Sequence, residues 1–118
     1  RPIDLTTKLL FPMWEMGPGD ADMTVMRVQA DGLNGKAKVR HTYDLLDHYD
    51  SVAGATSMSR TTGFTASIVS GLIASGRFKQ SGVVPPEDLG RDAKLFAKVL
   101  EELGKRGVKV AFSKKKVR

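Results

Sequence analysis

The chain has 118 residues, a formal net charge of +6 and no cysteine. The length suits one domain of ordinary size, and the lack of cysteine excludes disulfides, thiolate chemistry and cysteine zinc sites. No apolar run approaches the about 20 residues that a membrane-spanning helix needs, and no charged-then-apolar leader opens the chain. We therefore expect a cytoplasmic domain with a hydrophobic core of its own.

The first half of the sequence predicts a helix followed by a β-hairpin. Residues 5–14 form a short amphipathic helical pattern. Residues 23–30 alternate between the two faces of a strand, and the alternation resumes over residues 36–47. Between these two runs lies Asn34-Gly35, a strong signal for a tight hairpin turn. The pattern therefore predicts a long antiparallel ribbon.

The second half predicts two helices and a final strand. Apolar side chains recur at three- and four-residue steps over residues 57–76 and again over residues 92–103. Gly63 and Gly71 belong to a stripe of small residues on the first of these helices, which predicts close packing there. Residues 108–112 alternate as a terminal strand. The sum is an α+β fold, with an antiparallel sheet (a mixed sheet is the alternative) around the hairpin and helices packed on one side.

Much of the net positive charge lies near the end of the chain, at Lys114, Lys115, Lys116 and Arg118. One interpretation is a contact with nucleic acid or an anionic membrane. The other is a solvated tail, which we favour because no aromatic side chains are interleaved with the lysines to stack on bases. A nucleic-acid-binding domain is therefore a minor alternative.

The common catalytic and nucleotide-binding motifs are absent from the sequence. It contains no Gly-x-Gly-x-x-Gly, Walker loop, His-Glu-x-x-His or Gly-x-Ser-x-Gly. His41 and His48 flank several aspartates, but their separation of seven positions puts them on opposite faces of a strand. We expect no catalytic residue, bound cofactor or metal in this chain, and a half-buried, hydrogen-bonded His41.

The start of the second helix is the candidate binding site. The hydroxyls of Ser57, Thr61 and Thr62 and the guanidinium of Arg60 lie in its first turns. Free backbone N–H groups and the helix dipole favour an anion there, and Arg60 could hold a carboxylate through two hydrogen bonds. Alternatively, the hydroxyls cap the helix and Arg60 pairs with a nearby aspartate. The residues alone leave both interpretations open.

Several blocks resemble the C-terminal domain of saccharopine dehydrogenase and its relatives. They follow one another in the family's order and together cover roughly residues 20–110, at 22–28, 43–47, 56–64, 82–87 and 103–108. The resemblance implies an NAD(P)-dependent oxidoreductase of the lysine-metabolism type that acts on the CH–NH group of an amino-acid-type substrate.

In such an enzyme NAD or NADP would bind an N-terminal Rossmann domain outside these residues. Residues 1–118 would then be a single substrate-binding and dimerisation domain, inactive by itself. The implied partners are that Rossmann domain, a second copy in a homodimer and the substrate, but no membrane. The resemblance favours Ser57, Arg60, Thr61 and Thr62 as substrate-binding residues. A free-standing binding or regulatory module for an anionic amino acid is the alternative.

Overall fold

A computed structural model describes residues 1–117 of the protein. It contains four helices and three strands: α1 (Pro2–Trp14), β1 (Met23–Asn34), β2 (Ala37–His48), α2 (Ser57–Ala74), α3 (Pro86–Arg91), α4 (Ala93–Lys105) and β3 (Val110–Lys116). The strands form one open antiparallel sheet in the order β1-β2-β3. The α+β fold predicted from the sequence is confirmed, and the sheet is antiparallel throughout.

The hairpin is longer than the alternation predicted. β1 continues past Ala30 to Asn34, and its residues pair with β2 as far as Asn34 opposite Ala37. The turn is therefore only Gly35 and Lys36. Gly35 has a φ of +63°, a backbone conformation that residues other than glycine rarely adopt. In the described chain only glycines have positive φ. Asn34 thus belongs to the strand, and the glycine alone makes the tight turn possible.

The core lies between one face of the sheet and the helices. α2 packs on β1 and β2, α4 packs on α2, and α3 packs on α4. The buried apolar side chains of the core come from β2, α2, α3, α4 and the segment between α4 and β3: Leu45, Ile68, Leu72, Leu89, Val99, Leu103 and Val108. The opposite face of the hairpin carries hydrogen-bonded cross-strand pairs, including Arg27 with Asp44 and Asp31 with Arg40. The helices therefore cover only one side of the sheet.

α3 was not predicted from the sequence. The Pro85-Pro86 pair indicates an extended segment, and Pro85 is indeed extended, with φ −69° and ψ 148°. Pro86, however, begins a helix, because a proline ring presets the φ of the first helical position and needs no N–H there. Asp92 then ends α3 and caps α4, where its carboxylate accepts hydrogen bonds from the N–H groups of Lys94 and Leu95.

The basic end of the chain lies in a strand and not in a solvated tail. β3 pairs with β2 from Val110 opposite Leu45 to Lys116 opposite Val39. The tail prediction was therefore wrong for Lys114, Lys115 and Lys116, whose side chains are exposed but whose backbone belongs to the sheet. Arg118 lies outside the described residues.

α1 makes no extensive contact with the other described elements, and none of its residues is buried. It begins at Pro2, earlier than predicted, since proline suits the first turn. Leu9 and Phe11 are each 60% exposed. None of the helices in residues 1–117 is long and apolar enough to cross a membrane.

The chain as a whole exposes more surface than a compact monomer. Its accessible surface is 9290 Å², whereas about 6,300 Å² is expected for a folded monomer of this mass. The radius of gyration of 18.3 Å likewise exceeds the about 13.5 Å of a compact domain of this length. The chain therefore has surface that is suited to being covered by further protein.

The glycines of α2 should respond differently from Gly107 to substitution by alanine. A Cβ at Gly63 or Gly71 would meet no described atom within 4 Å, so the prediction of close packing along this stripe was wrong. We expect Gly63→Ala and Gly71→Ala each to raise the free energy of unfolding by about 0.5–1 kcal/mol in urea titrations. Gly107→Ala is the control and should destabilise, because Gly107 has a φ of +85° and its Cβ would lie 3.1 Å from Nη2 of Arg60. The same effect at all three positions would contradict this account.

Candidate functional site

The first turn of α2 is capped by a carboxylate from a distant part of the chain. The backbone N–H groups of Ser57 and Met58 donate to the two carboxylate oxygens of Asp22, at 2.6 and 2.8 Å. The N–H of Ser59 donates to Oγ1 of Thr56, the N-cap residue, at 3.1 Å. The N–H groups that the sequence suggested for a substrate anion are therefore occupied by the protein itself.

Arg60 is buried in a cluster with two aspartates. Its side chain is 9% exposed and that of Asp47 is 5% exposed. Nε and Nη2 of Arg60 each lie 3.3 Å from a carboxylate oxygen of Asp47, and Nη1 donates to Asp50. Nη2 also lies 3.4 Å from the carbonyl oxygen of Arg106. The pairing of Arg60 with a nearby aspartate, one of the two interpretations that the sequence left open, is thus present in the structure.

Ser57 connects α2 to both strands of the hairpin. Ser57 is fully buried, and its Oγ lies 2.8 Å from Oγ1 of Thr24 and 2.8 Å from a carboxylate oxygen of Asp47. A carboxylate can only accept, so Ser57 donates to Asp47 and accepts from Thr24. The hydroxyl therefore joins β1, β2 and the first turn of α2. We call the group Asp22, Thr24, Asp47, Asp50, Ser57 and Arg60 the anchor cluster.

Two aspartates of the anchor cluster are held in their ionised form. Hydrogen bonds from the backbone N–H of Met58 and, to a smaller extent, of Ser57 lower the pKa of Asp22. The pKa of Asp50 is lowered first by the N–H of Ala53, then by that of Val52 and by the positive charge of Arg60. Both carboxylates are therefore negative at neutral pH and complement the helix start and the guanidinium.

Thr61 and Thr62 lie in different surroundings from Ser57 and Arg60. Both line a cavity of about 520 Å³ between the sheet and helices α2 and α4. We call this cavity the sheet–helix cleft. Its apolar walls include Met26, Val28 and Leu45 from the hairpin and Phe96 and Leu100 from α4, and none of its lining residues carries a charge at neutral pH. Oγ1 of Thr61 donates to the carbonyl oxygen of Ser57 at 2.9 Å.

The four residues predicted to bind substrate therefore divide into two pairs. Ser57 and Arg60 belong to the buried anchor cluster, whereas Thr61 and Thr62 are on the wall of the sheet–helix cleft. The arrangement of the cleft suits a neutral or apolar part of a ligand, with hydroxyls available for one or two polar groups. Substrate contact by these four residues remains a prediction.

Sequence reasoning missed Asp22 and Thr24. Helix caps are usually sought within a few residues of the helix start, but Asp22 lies 35 positions before Ser57 and Thr24 lies 33 positions before it. The only sequence signal is an aspartate just before a strand, and such aspartates are common in turns. The fold brings Asp22 and Thr24 next to the start of α2, and no local sequence pattern predicts this contact.

The histidines do not form a metal site. His41 is half-buried, as predicted, and its ring lies edge-on to Phe112 with 5.3 Å between ring centroids. Its Nε2 is buried and has no hydrogen-bond partner among the described residues, so the predicted hydrogen bond is wrong for this nitrogen. His48 lies on the other face of β2. Within residues 1–117, no group of three histidine, aspartate or glutamate side chains is arranged to hold a metal ion.

Loss of the Asp47 carboxylate should destabilise the fold strongly. Asp47→Ala would remove the buried partner of Arg60 and the acceptor of the Ser57 hydroxyl. Removal of one partner of a buried ion pair typically costs about 3–5 kcal/mol of stability. The matched control is Asp44→Ala on the same strand, because Asp44 pairs with Arg27 on the exposed face and such pairs contribute little. Urea unfolding followed by circular dichroism measures both. Equally small losses would show that the anchor cluster is not a main determinant of stability.

Acid should weaken the capping of α2. The pKa of Asp22 is lower in the folded than in the unfolded chain, so its stabilisation is present above the ordinary aspartate pKa of about 3.9 and is lost as the pH falls through the folded value. We expect Asp22→Asn to be less stable than the parent at pH 7 and to lose less stability between pH 5 and pH 2.5. Urea midpoints at the two pH values test this. An identical loss in parent and variant would contradict it.

Residues 1–108 match the family model described as the saccharopine dehydrogenase C-terminal domain. The match extends from α1 to the turn before β3 and includes the anchor cluster and both threonines of the cleft. No solved structure matches the chain. The resemblance seen in the sequence is confirmed, and the chain belongs to the saccharopine dehydrogenase C-terminal domain family.

Proposed function

We propose that this chain is the substrate-binding and dimerisation part of an NAD(P)-dependent oxidoreductase that acts on the CH–NH group of an amino-acid-type substrate. The family match over residues 1–108 carries the proposal. In it, residues 1–118 are one domain that works beside an N-terminal Rossmann domain, with a second copy completing a homodimer. The family also favours a cytoplasmic enzyme with a substrate of the lysine-metabolism type.

The residues of this chain do not fit a nicotinamide dinucleotide. The sequence has no glycine-rich turn to cradle a pyrophosphate. Two other natural places for a phosphate are the starts of α2 and α4, whose first-turn N–H groups already bind Asp22, Thr56 and Asp92. In this proposal the cofactor therefore binds the N-terminal domain.

The sheet–helix cleft is the proposed place for the substrate. Thr61 and Thr62 offer hydroxyls at its wall, and Tyr43 and Phe96, which also line it, pack edge to face at 5.8 Å between ring centroids. A carboxylate buried there would have no cation to pair with, which is costly. We therefore assign the aliphatic part of the substrate to the cleft and its charged groups to the mouth, where the N-terminal domain can contact them.

In this proposal Ser57 and Arg60 are positioning residues and do not touch the substrate. If Arg60 turned toward a substrate carboxylate, Asp47 would remain buried and lose its ion pair, which costs several kcal/mol. Ser57 would likewise have to break its bonds to Thr24 and Asp47. Their role is to hold the start of α2, so that Thr61 and Thr62 lie over the sheet.

Titration calorimetry with NAD and NADP separates the two halves of the proposed enzyme. We expect no binding by this chain alone, and micromolar binding by the full-length protein that contains the N-terminal domain. Micromolar binding by the isolated chain would contradict the proposal.

Removal of a cleft hydroxyl should weaken substrate binding in the full-length enzyme. Thr62→Val keeps the volume of the side chain and removes the hydroxyl, so we expect KM for saccharopine, used as the test substrate, to rise by about tenfold, the effect of one lost hydrogen bond. Thr6→Val is the matched control, because Thr6 lies on the exposed helix α1 and should leave KM unchanged. An unchanged KM in both variants would place the substrate elsewhere.

A further inference from the structure

The two edges of the sheet differ in how they are protected. β3, at one edge, carries Lys114, Lys115 and Lys116, and charged lysines are a common protection against pairing with another strand. β1, at the other edge, is 12 residues long and contains neither lysine nor proline. Its outer side pairs with no other strand in the described part of the chain. The edge formed by β1 is therefore open to a further strand.

The side chains of β1 on the face away from the helices follow a self-complementary order. They are Val25, Arg27, Gln29, Asp31 and Leu33. If a second copy of β1 lies antiparallel to the first with Gln29 opposite Gln29, then Arg27 lies opposite Asp31 and Val25 lies opposite Leu33. The same register places Val28 opposite Ala30 and Met26 opposite Gly32 on the other face. Each charged side chain of β1 then lies opposite one of opposite charge. On the face toward the helices, the large Val28 and Met26 lie opposite the small Ala30 and Gly32.

We infer that β1 pairs with β1 of a second copy in this register, so that two three-stranded sheets become one six-stranded antiparallel sheet about a two-fold axis at Gln29. The inference rests on the proposed dimerisation role of the chain and specifies the interface. Because opposite residues in an antiparallel pair point to the same side, the helices of both copies lie on the same face of the joined sheet.

The ion pairs within each hairpin continue across this joint. Arg27 donates to Asp44 at 2.5 Å, and Arg40 donates to Asp31 at 2.6 Å. In the joined sheet each row therefore reads Asp44, Arg27, then Asp31 and Arg40 of the second copy, with charges that alternate in sign. Opposite charges facing each other on a sheet stabilise the pairing, and like charges oppose it.

Neighbouring registers lack this complementarity. A shift that centres the pair on Arg27 brings the two Arg27 side chains face to face, and one that centres it on Asp31 does the same for the two carboxylates. Centring on Val28 or Ala30 leaves both charges opposite uncharged residues. The charge pattern therefore selects the register centred on Gln29.

The exposed area of the chain is compatible with such an interface. The accessible surface of 9290 Å² exceeds that of a compact monomer by about 3,000 Å². A stable interface of standard size covers about 800 Å² on each partner. The chain therefore has enough exposed surface for this interface and for a contact with an N-terminal domain as well.

Cysteine cross-linking tests the register directly. The chain has no cysteine, so Gln29→Cys creates one thiol that lies on the two-fold axis. Directly opposite residues have Cα atoms about 4.5–5.5 Å apart, within the range that a disulfide spans. Val25→Cys is the matched control on the same face, and its two copies would lie roughly 26 Å apart. Under mild oxidation we expect a covalent dimer for Gln29→Cys and not for Val25→Cys. Equal cross-linking of both variants, or none of either, would overturn the inference.

Charge reversal tests the same interface without a covalent bond. Arg27→Asp and Asp31→Arg each place like charges opposite each other in a homodimer, so each variant alone should be monomeric by sedimentation equilibrium. A mixture of the two should form a heterodimer, because the aspartates at positions 27 and 31 of one copy face the arginines at positions 31 and 27 of the other. Circular dichroism verifies that each variant is folded, and recovery of the dimer on mixing cannot come from a misfolded chain.

The outcomes separate this inference from the proposed function. A parent chain that is monomeric at every concentration tested would overturn both the β1 interface and the proposed dimerisation role. A dimer that persists in both single variants would overturn the β1 interface and leave dimerisation through another surface, such as α1, standing. Failure of the folded variants to dimerise on mixing would overturn the register centred on Gln29.

Discussion

The buried pairing of Arg60 with Asp47 and Asp50 is the interaction on which the rest of the site depends. It joins the end of β2, the following loop and the first turn of α2, and Ser57 adds β1 through Thr24. A guanidinium and a carboxylate that are both buried have to stay paired, since either charge alone would be costly in the core. The direction in which α2 leaves the hairpin is therefore set by this cluster.

The position of α2 in turn creates the sheet–helix cleft. Because the anchor cluster takes up the charged groups at the helix start, the next turn presents the neutral Thr61 and Thr62 to the cavity. The charged and the cavity-lining side chains of α2 thus lie on different parts of its first turns. Arg60 is held in the anchor cluster, whereas Thr61 and Thr62 line the cleft. The arginine at this helix start is paired with Asp47 and Asp50 and does not line the cleft.

The exposed surface of the chain has a related physical cause. A three-stranded sheet with helices on one face cannot bury all of its apolar side chains, and α1 adds a helix with no buried residue. The ion pairs of the hairpin then serve two purposes, because they hold β1 to β2 within one chain and present alternating charges along the open edge. A domain that belongs to a larger assembly can leave surfaces of this kind to be covered by its partners.

The sequence by itself determined the hairpin, α2, α4 and the α+β class, because alternation, helical periodicity and the glycine turn at Gly35 are local patterns. It also identified the family and the segment that contains the candidate site. It did not predict α3, the inclusion of Lys114–Lys116 in β3, or Asp22 as the cap of α2. Only the tertiary structure decided whether Arg60 faced a cavity or an aspartate, because that depends on which distant segments meet when the chain folds. Arg60 is buried, and a buried guanidinium is stable only when it is paired, so it binds the carboxylates that the fold places beside it.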